Sequence, residues 1–280
     1  MSHFYDTQSN PRHFVKGSNG KERPSTIADA KKNGWLPSVT EVLKVLDKPA
    51  LTRWQVRQGV YAVTTAPDVA GEGLDAKIER ILDLEAQQDE ESRIARDCGS
   101  DMHAGLEALS LGKPVDPKLV PWIMPAYWAT VGLNGVFGKV YAVEDIVIGK
   151  WYAGKADLIT WEELNKVNWI IDWKSAKTLP KASAWPEHVL QMAAYAKALY
   201  SPMHQNIRTA NVYLSTVNPG EFKVLAHPDW HDTYEHGFRP LLQYYRWSRG
   251  FDVERKQTDL EIAREVLAAC HKPLSTRGNA

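Results

Sequence analysis

The chain has 280 residues, and its 34 Lys and Arg balance 34 Asp and Glu, so the formal net charge is zero. A hydrophobic fraction of 44% and a charged fraction of 24% are those of a globular domain, which excludes a disordered or collagen-like chain. No run approaches the roughly 18 apolar residues of a membrane helix, and MSHFYDTQSNPR lacks an apolar signal core, which together predict a reduced, cytoplasmic protein with no membrane partner.

In chain order, HFYDTQSNPRHFV (residues 3–15) predicts a short hairpin, and STIADAKKNG (25–34) a short helix closed by Gly34. LPSVTEVLKVL starts a further helix with Ser38 followed three residues later by Glu41, the pattern of a capping box. Pro49 suits the first turn of a helix over 49–63. A linker around 64–68 leads to an acidic helix ending near Gln88. Next, Ile94, Cys98, Met102, Leu106 and Leu109 recur at helical spacing up to Gly112. The period then changes. Residues 138–149, 150–161 and 166–176 are three β-rich runs with short polar or glycine-containing connections. Pro186 opens a helix to about residue 200, two more strands (209–217 and 221–227) flank the turn Asn218-Pro219-Gly220, and a helix near 231–247 precedes a polar tail.

This order predicts a mixed α/β (α+β) fold, a central antiparallel or mixed sheet flanked by helices. A Rossmann alternation does not fit, and no glycine-rich phosphate loop is present, so no nucleotide cofactor is expected. Three regions are expected: an N-terminal hairpin and helical extension (1–90), a core (91–250), and a C-terminal helix with a polar tail (251–280). The zero net charge is unevenly spread. Residues 1–60 hold ten Lys/Arg against five acids, whereas residues 68–101 hold eleven acids against four bases. The basic segment is either a surface that guides a polyanion or one of two solvated surfaces that happen to balance.

Four short features carry candidate chemistry. Asp157 sits in the apolar setting Ala-Asp-Leu-Ile on the second strand, where an unpartnered carboxylate is costly. Asp172-Trp173-Lys174 ends the third strand, and strand alternation places Asp172 and Lys174 on one face and Trp173 on the other. Two carboxylates on adjacent strands can share a hard divalent cation, with a lysine beside them to orient water or hold charge on a phosphate. Gln191 and Tyr195 lie four residues apart on the following helix. His103 lies beside the apolar stripe of an earlier helix. Each piece alone also has a plain structural reading, such as a strand-end aspartate or a packed tyrosine.

Taken in order, Gly99-Ser100-Asp101-Met102-His103 with Glu107, Gly154-Lys155-Ala156-Asp157, Asp172-Trp173-Lys174 and Gln191-Met192-Ala193-Ala194-Tyr195 resemble the RecB-like branch of the PD-(D/E)XK nuclease superfamily. The likeness extends to Pro37-Ser38-Val39-Thr40 and to Lys48-Pro49-Ala50-Leu51 with Trp54, which look like the lead-in of phage and mitochondrial exonucleases, and it covers residues 37–215. The resemblance implies an αβββαβ core with an N-terminal helical extension. Some relatives carry a four-cysteine iron–sulfur cluster, and the two cysteines here, Cys98 and Cys270, exclude it.

The resemblance implies a DNA exonuclease dependent on Mg²⁺ or Mn²⁺, in a phage or in recombination and repair. It implies Asp157, Asp172, the Trp173 carbonyl and His103 as metal ligands, Lys174 as the residue that positions water, and Gln191 and Tyr195 lining the site. Glu144, Lys155, Lys177, Lys181 and Trp185 are further candidates for contacts with substrate. DNA with free ends is the expected partner, with a single-strand-binding or annealing protein and a homo-oligomer as additional expectations. A flap or structure-specific endonuclease, or a silent binding domain, are the alternatives.

Overall fold

In the computed structural model, residues 3–253 are described, except 7, 48, 89, 132–134, 182, 202, 203 and 228. The C-terminal helix and tail expected over 251–280 lie outside the described residues from 254 onward.

The predicted N-terminal hairpin forms but is short: Tyr5 bridges Pro11 antiparallel, the Arg12 N–H donates to the Phe4 carbonyl at 2.7 Å and the Asp6 N–H to the Asn10 carbonyl at 3.0 Å. β1 (Phe4–Tyr5) pairs antiparallel with β4 (Leu36–Pro37), and β2 (Phe14–Lys16) pairs with β3 (Glu22–Pro24). Between them Asp6 ties a tight turn. Its carboxylate accepts the Gln8 and Asn10 backbone N–H groups at 2.9 and 2.8 Å and the Arg12 guanidinium at 2.5 Å. A carboxylate satisfied in this way closes the turn of that hairpin.

α1 (Ile27–Asn33) has a full capping box between Thr26 and Asp29 and ends at Gly34 in the left-handed conformation, φ 67°. α2 (Val39–Leu43) forms only the Ser38 half of its predicted box, Oγ accepting the Glu41 N–H at 2.9 Å. The Ser38 N–H is already committed to the His3 carbonyl, so the Glu41 carboxylate pairs with Lys44 at 2.6 Å. α3 (Pro49–Thr65), α4 (Leu74–Gln88) and α5 (Glu90–Ser110) follow close to expectation. α6 (Val120–Thr130) was not expected, because Pro121 and Pro125 interrupt its pattern. Pro121 falls in the first turn, where no N–H is needed, and Pro125 forfeits one bond inside the helix.

The centre is a five-stranded sheet in the order β5 (Lys139–Ile148), β6 (Ala153–Glu162), β7 (Val167–Ala176), β8 (Ile207–Ser215), β9 (Phe222–His227). β5, β6 and β7 form an antiparallel meander, α7 (Pro186–Leu199) crosses over, β8 runs parallel to β7, and β9 returns antiparallel. The fold is therefore mixed α/β, a five-stranded central sheet flanked by helices. One core layer joins α2, α7 and the final helices to residues such as Ile170, Ile159 and Met192. Phe4, Ala30 and Val39 from the N-terminal segment share that layer. The other layer packs α5 and α6 against Leu158, Ile171, Trp173 and Val212. The last helix is α8 (Trp230–Asp232), a π-helical turn (Thr233–Phe238) and α9 (Arg239–Arg249). The wide turn directly precedes Pro240, which has no N–H to donate. Among the described residues no helix is long and apolar enough to cross a membrane.

One irregularity organises the rest. The β6–β7 ladder runs from Glu162↔Val167 to Leu158↔Ile171 and stops. Beyond that pair β6 continues against β5 alone, as far as Ile148↔Ala153, and β7 continues against β8 alone, as far as Ala176↔Ser215. The sheet forks between β6 and β7. β6 also changes face at the fork: Ala156 packs in the α7 layer, but Leu158 packs in the α5/α6 layer. Unbroken alternation would send both to one side. Glu144 on β5, between the pairs Val143↔Leu158 and Asp145↔Ala156, takes φ 53°, a left-handed conformation that rotates the β5–β6 ribbon. On its other edge the freed part of β6 is covered by the N-terminal piece, through a parallel bridge from Ser38 to Ala153 and packing of Tyr5 and Leu36 on Ala153.

Candidate active site in the sheet fork

The fork opens at Asp157 and Asp172. They follow directly on Leu158↔Ile171, so each carboxylate stands where the next ladder pair would form. Asp157 fills the missing backbone partner itself, its Oδ2 accepting the Trp173 N–H at 2.8 Å. Asp172 is 2% exposed. Its carboxylate receives the Lys174 ammonium at 2.9 Å on Oδ1 and 2.7 Å on Oδ2, and Asn211 Nδ2 at 2.9 Å on Oδ2. Strand alternation is as expected here, because the Trp173 indole is buried in the opposite layer among Met102, Leu106 and Ile171.

Two glycines let helices reach the fork. A Cβ on Gly99 would overlap the Ser175 side chain, so only glycine allows α5 to press on β7. One turn later His103 faces Asp157, Nδ1 to Oδ2 at 3.6 Å, too long for a hydrogen bond. A Cβ on Gly154 would overlap the Tyr195 ring, so that glycine lets α7 seat its tyrosine on β6. Gln191 Nε2 donates to the Tyr195 hydroxyl at 2.8 Å, and both side chains are buried.

The electrostatics follow from crowding. Burial and the adjacent Asp172 carboxylate push the Asp157 carboxyl up to about 8, against the pull of Lys174 and the Trp173 N–H. Burial acts to lower the Lys174 ammonium, but Asp172 and Asp157 outweigh it and leave the pKa raised, so the lysine stays charged. Burial lowers His103, only partly offset by Asp172, which keeps its imidazole neutral with a lone pair available. Burial, reinforced by Asp172, raises the Tyr195 phenol well above its usual value.

The remaining predicted residues are placed as follows. Glu144 lies across β5 from Asp157 but pairs its carboxylate with Lys155, so these two candidates engage one another at the rim. Lys177 and Lys181 are exposed on the loop leaving β7. Trp185 caps the start of α7 and is 42% exposed. Sequence reasoning missed Asn211 and His227. His227 Nε2 lies 2.8 Å from Asn211 Oδ1, which completes a chain from His227 through the buried Asn211 and Asp172 to Lys174, its two ends half-buried. The only sequence signal was an amide inside the apolar run of β8, at the position that pairs with Asp172.

The donor set suits a hard divalent cation: two carboxylates and a neutral imidazole. Burial first and the nearby Asp172 carboxylate second hold the Asp157 pKa up, and a bound cation would bring it down again. Among the described residues, however, no three His, Cys, Asp or Glu groups are drawn together tightly enough to hold a metal as they stand. Asp172 is turned toward Lys174 and Asn211, so ligation through it requires Lys174 to release one carboxylate oxygen. Compared with protein-family models and with curated proteins, the chain returns no match.

Proposed function

We propose that the chain is a metal-dependent deoxyribonuclease of PD-(D/E)XK type that acts from DNA ends as an exonuclease. The observation that carries this reading is the pairing of Asp157 with Asp172 at the point where the ladder ends, with Lys174 on one carboxylate and His103 facing the other. The order β5–β6–β7–α7–β8 behind α5 supports the same reading, because it is the αβββαβ order that the motifs imply.

In this reading Asp157, Asp172, His103 and the Trp173 carbonyl would hold Mg²⁺ or Mn²⁺, which activates water and polarises the scissile phosphate. Lys174 orients the attacking water and balances charge growing on the phosphate, and its two carboxylate neighbours keep it protonated for that task. The Tyr195 oxygen accepts from Gln191, which leaves its own O–H to donate toward the fork. An imidazole in the set favours acceptance of Mn²⁺.

Linear and covalently closed circular DNA, incubated with Mn²⁺ and with EDTA, test the proposal. Loss of only the linear form, abolished by EDTA and by Lys174→Ala, is expected. Nicking of circles would make the enzyme an endonuclease. A second reading, a binding domain without turnover, draws on Asp172 having both oxygens engaged, and intact DNA of both forms would favour it.

A further inference from the structure

The nuclease reading leaves open which form of DNA the fork receives, and an aromatic group beside Lys174 bears on that choice. Lys174 on β7 pairs in parallel register with Tyr213 on β8. Tyr213 is fully buried, and its hydroxyl shares a 2.8 Å hydrogen bond with His188 Nδ1 from the first turn of α7. Trp185 stands over both, its ring centroid 5.3 Å from Tyr213 and 5.5 Å from His188, each in an edge-on arrangement. Two aromatic neighbours therefore hold the indole in place, while 42% of the residue remains exposed. An exposed indole is normally costly to keep in one orientation, and a held one offers a flat surface at little entropic cost on binding.

Resting on the nuclease reading, we propose that Trp185, backed by Tyr213 and His188, is a stacking platform for an unpaired base next to the phosphate that Lys174 engages. The substrate class is then a single-stranded or frayed DNA end. A base inside a duplex has both faces covered by its neighbours and cannot be offered to the indole, whereas any unpaired base can, whatever its identity. Lys177 and Lys181 are exposed on the loop that leads from β7 to Trp185, and in this proposal they would meet the flanking phosphates.

The test uses the full chain carrying Lys174→Ala, so that binding is read without turnover, and end-labelled oligonucleotides followed by fluorescence anisotropy. Trp185→Ala is expected to weaken single-stranded binding about ten-fold and blunt-duplex binding less than two-fold. Trp185→Phe should recover most of the loss and, with an unchanged melting temperature, shows that the change is not misfolding. Removing the terminal base of the single strand should reproduce the loss in the parent and add nothing in Trp185→Ala. Equal losses on single strand and duplex, or no effect of the abasic end, overturn the platform. If the wild-type chain with Mn²⁺ still degrades linear DNA, the nuclease reading survives that outcome. If it neither cuts nor binds DNA, both fall.

Discussion

The two halves of the central sheet differ sharply. Below the pair Leu158↔Ile171 all five strands run on together, and the inward positions are apolar or small: Ile159, Thr160, Trp169, Ile170 and Ala210. Above it β6 and β7 part, and within a few residues come Asp157, Asp172 and Lys174, with Glu144 and Lys155 at the rim. Backbone groups in the lower half are satisfied by the ladder, and the few polar side chains there bond locally, the Thr160 hydroxyl to the Phe137 carbonyl and the Trp169 indole to Glu162. Where the ladder ends, backbone and charged groups must find other partners, and the side chains that supply them are the ones able to do chemistry. The contrast places the charged side chains at an interruption of regular structure.

Breaking the pair on each side of that boundary sharpens the contrast. Asp172→Ala leaves a buried ammonium without its carboxylate, and about 3–5 kcal/mol of stability should be lost in urea unfolding together with all nuclease activity. Ile170→Ala, two residues down the same strand and fully buried, should cost a similar 2–5 kcal/mol through its cavity, with activity per folded molecule retained. Equal loss of activity in both would mean that the fork is no more specialised than the core below it.

A smaller effect is expected one shell further out. Asn211→Leu strips Asp172 Oδ2 and His227 of a partner, with a cost of about 1–3 kcal/mol. If Asn211 positions Asp172 and does more than fill space, the Mn²⁺ concentration for half-maximal activity should rise, and Asn211→Ser should recover part of that shift. An unchanged metal titration would reduce Asn211 to packing.

The mildest probe is pH. Asp157 has its pKa raised on folding, from the usual carboxylate value to about 8, so the folded state holds a proton that the unfolded chain gives up. Its contribution is fully present below about pH 4 and is lost as pH rises toward 8. In EDTA the melting temperature should therefore fall over that window by more in wild type than in Asp157→Asn, and Mn²⁺ should reverse the fall at the alkaline end. Parallel curves for the two proteins would show that Asp157 and Asp172 do not crowd one another.

Much of the sheet was legible because its signals are local. The β-rich runs of β5, β6 and β7 marked the strands, and the one-residue spacing in Asp172-Trp173-Lys174 fixed which side chains share a face. Gly34 and Gly112, both with positive φ, correctly ended their helices. The misses were of two kinds. α6 hides behind prolines whose cost is recovered by tertiary packing of Ile123 and Ala126, which no periodicity reports. Asn211 and His227 sit on β8 and β9, far along the chain from Asp172, and only strand pairing brings them to it. The fork itself has no sequence marker, because Glu144 is an ordinary residue in an unusual backbone state.

The bridge from Ser38 to Ala153 carries a further meaning for the molecule's behaviour among its own copies. Where β7 departs, the freed length of β6 would present bare amide and carbonyl groups to solvent, a template for strand addition by a neighbouring chain. β1 and β4, with Tyr5 and Leu36 laid over Ala153, take that place from within. The fork is thereby kept from pairing with another polypeptide along that edge.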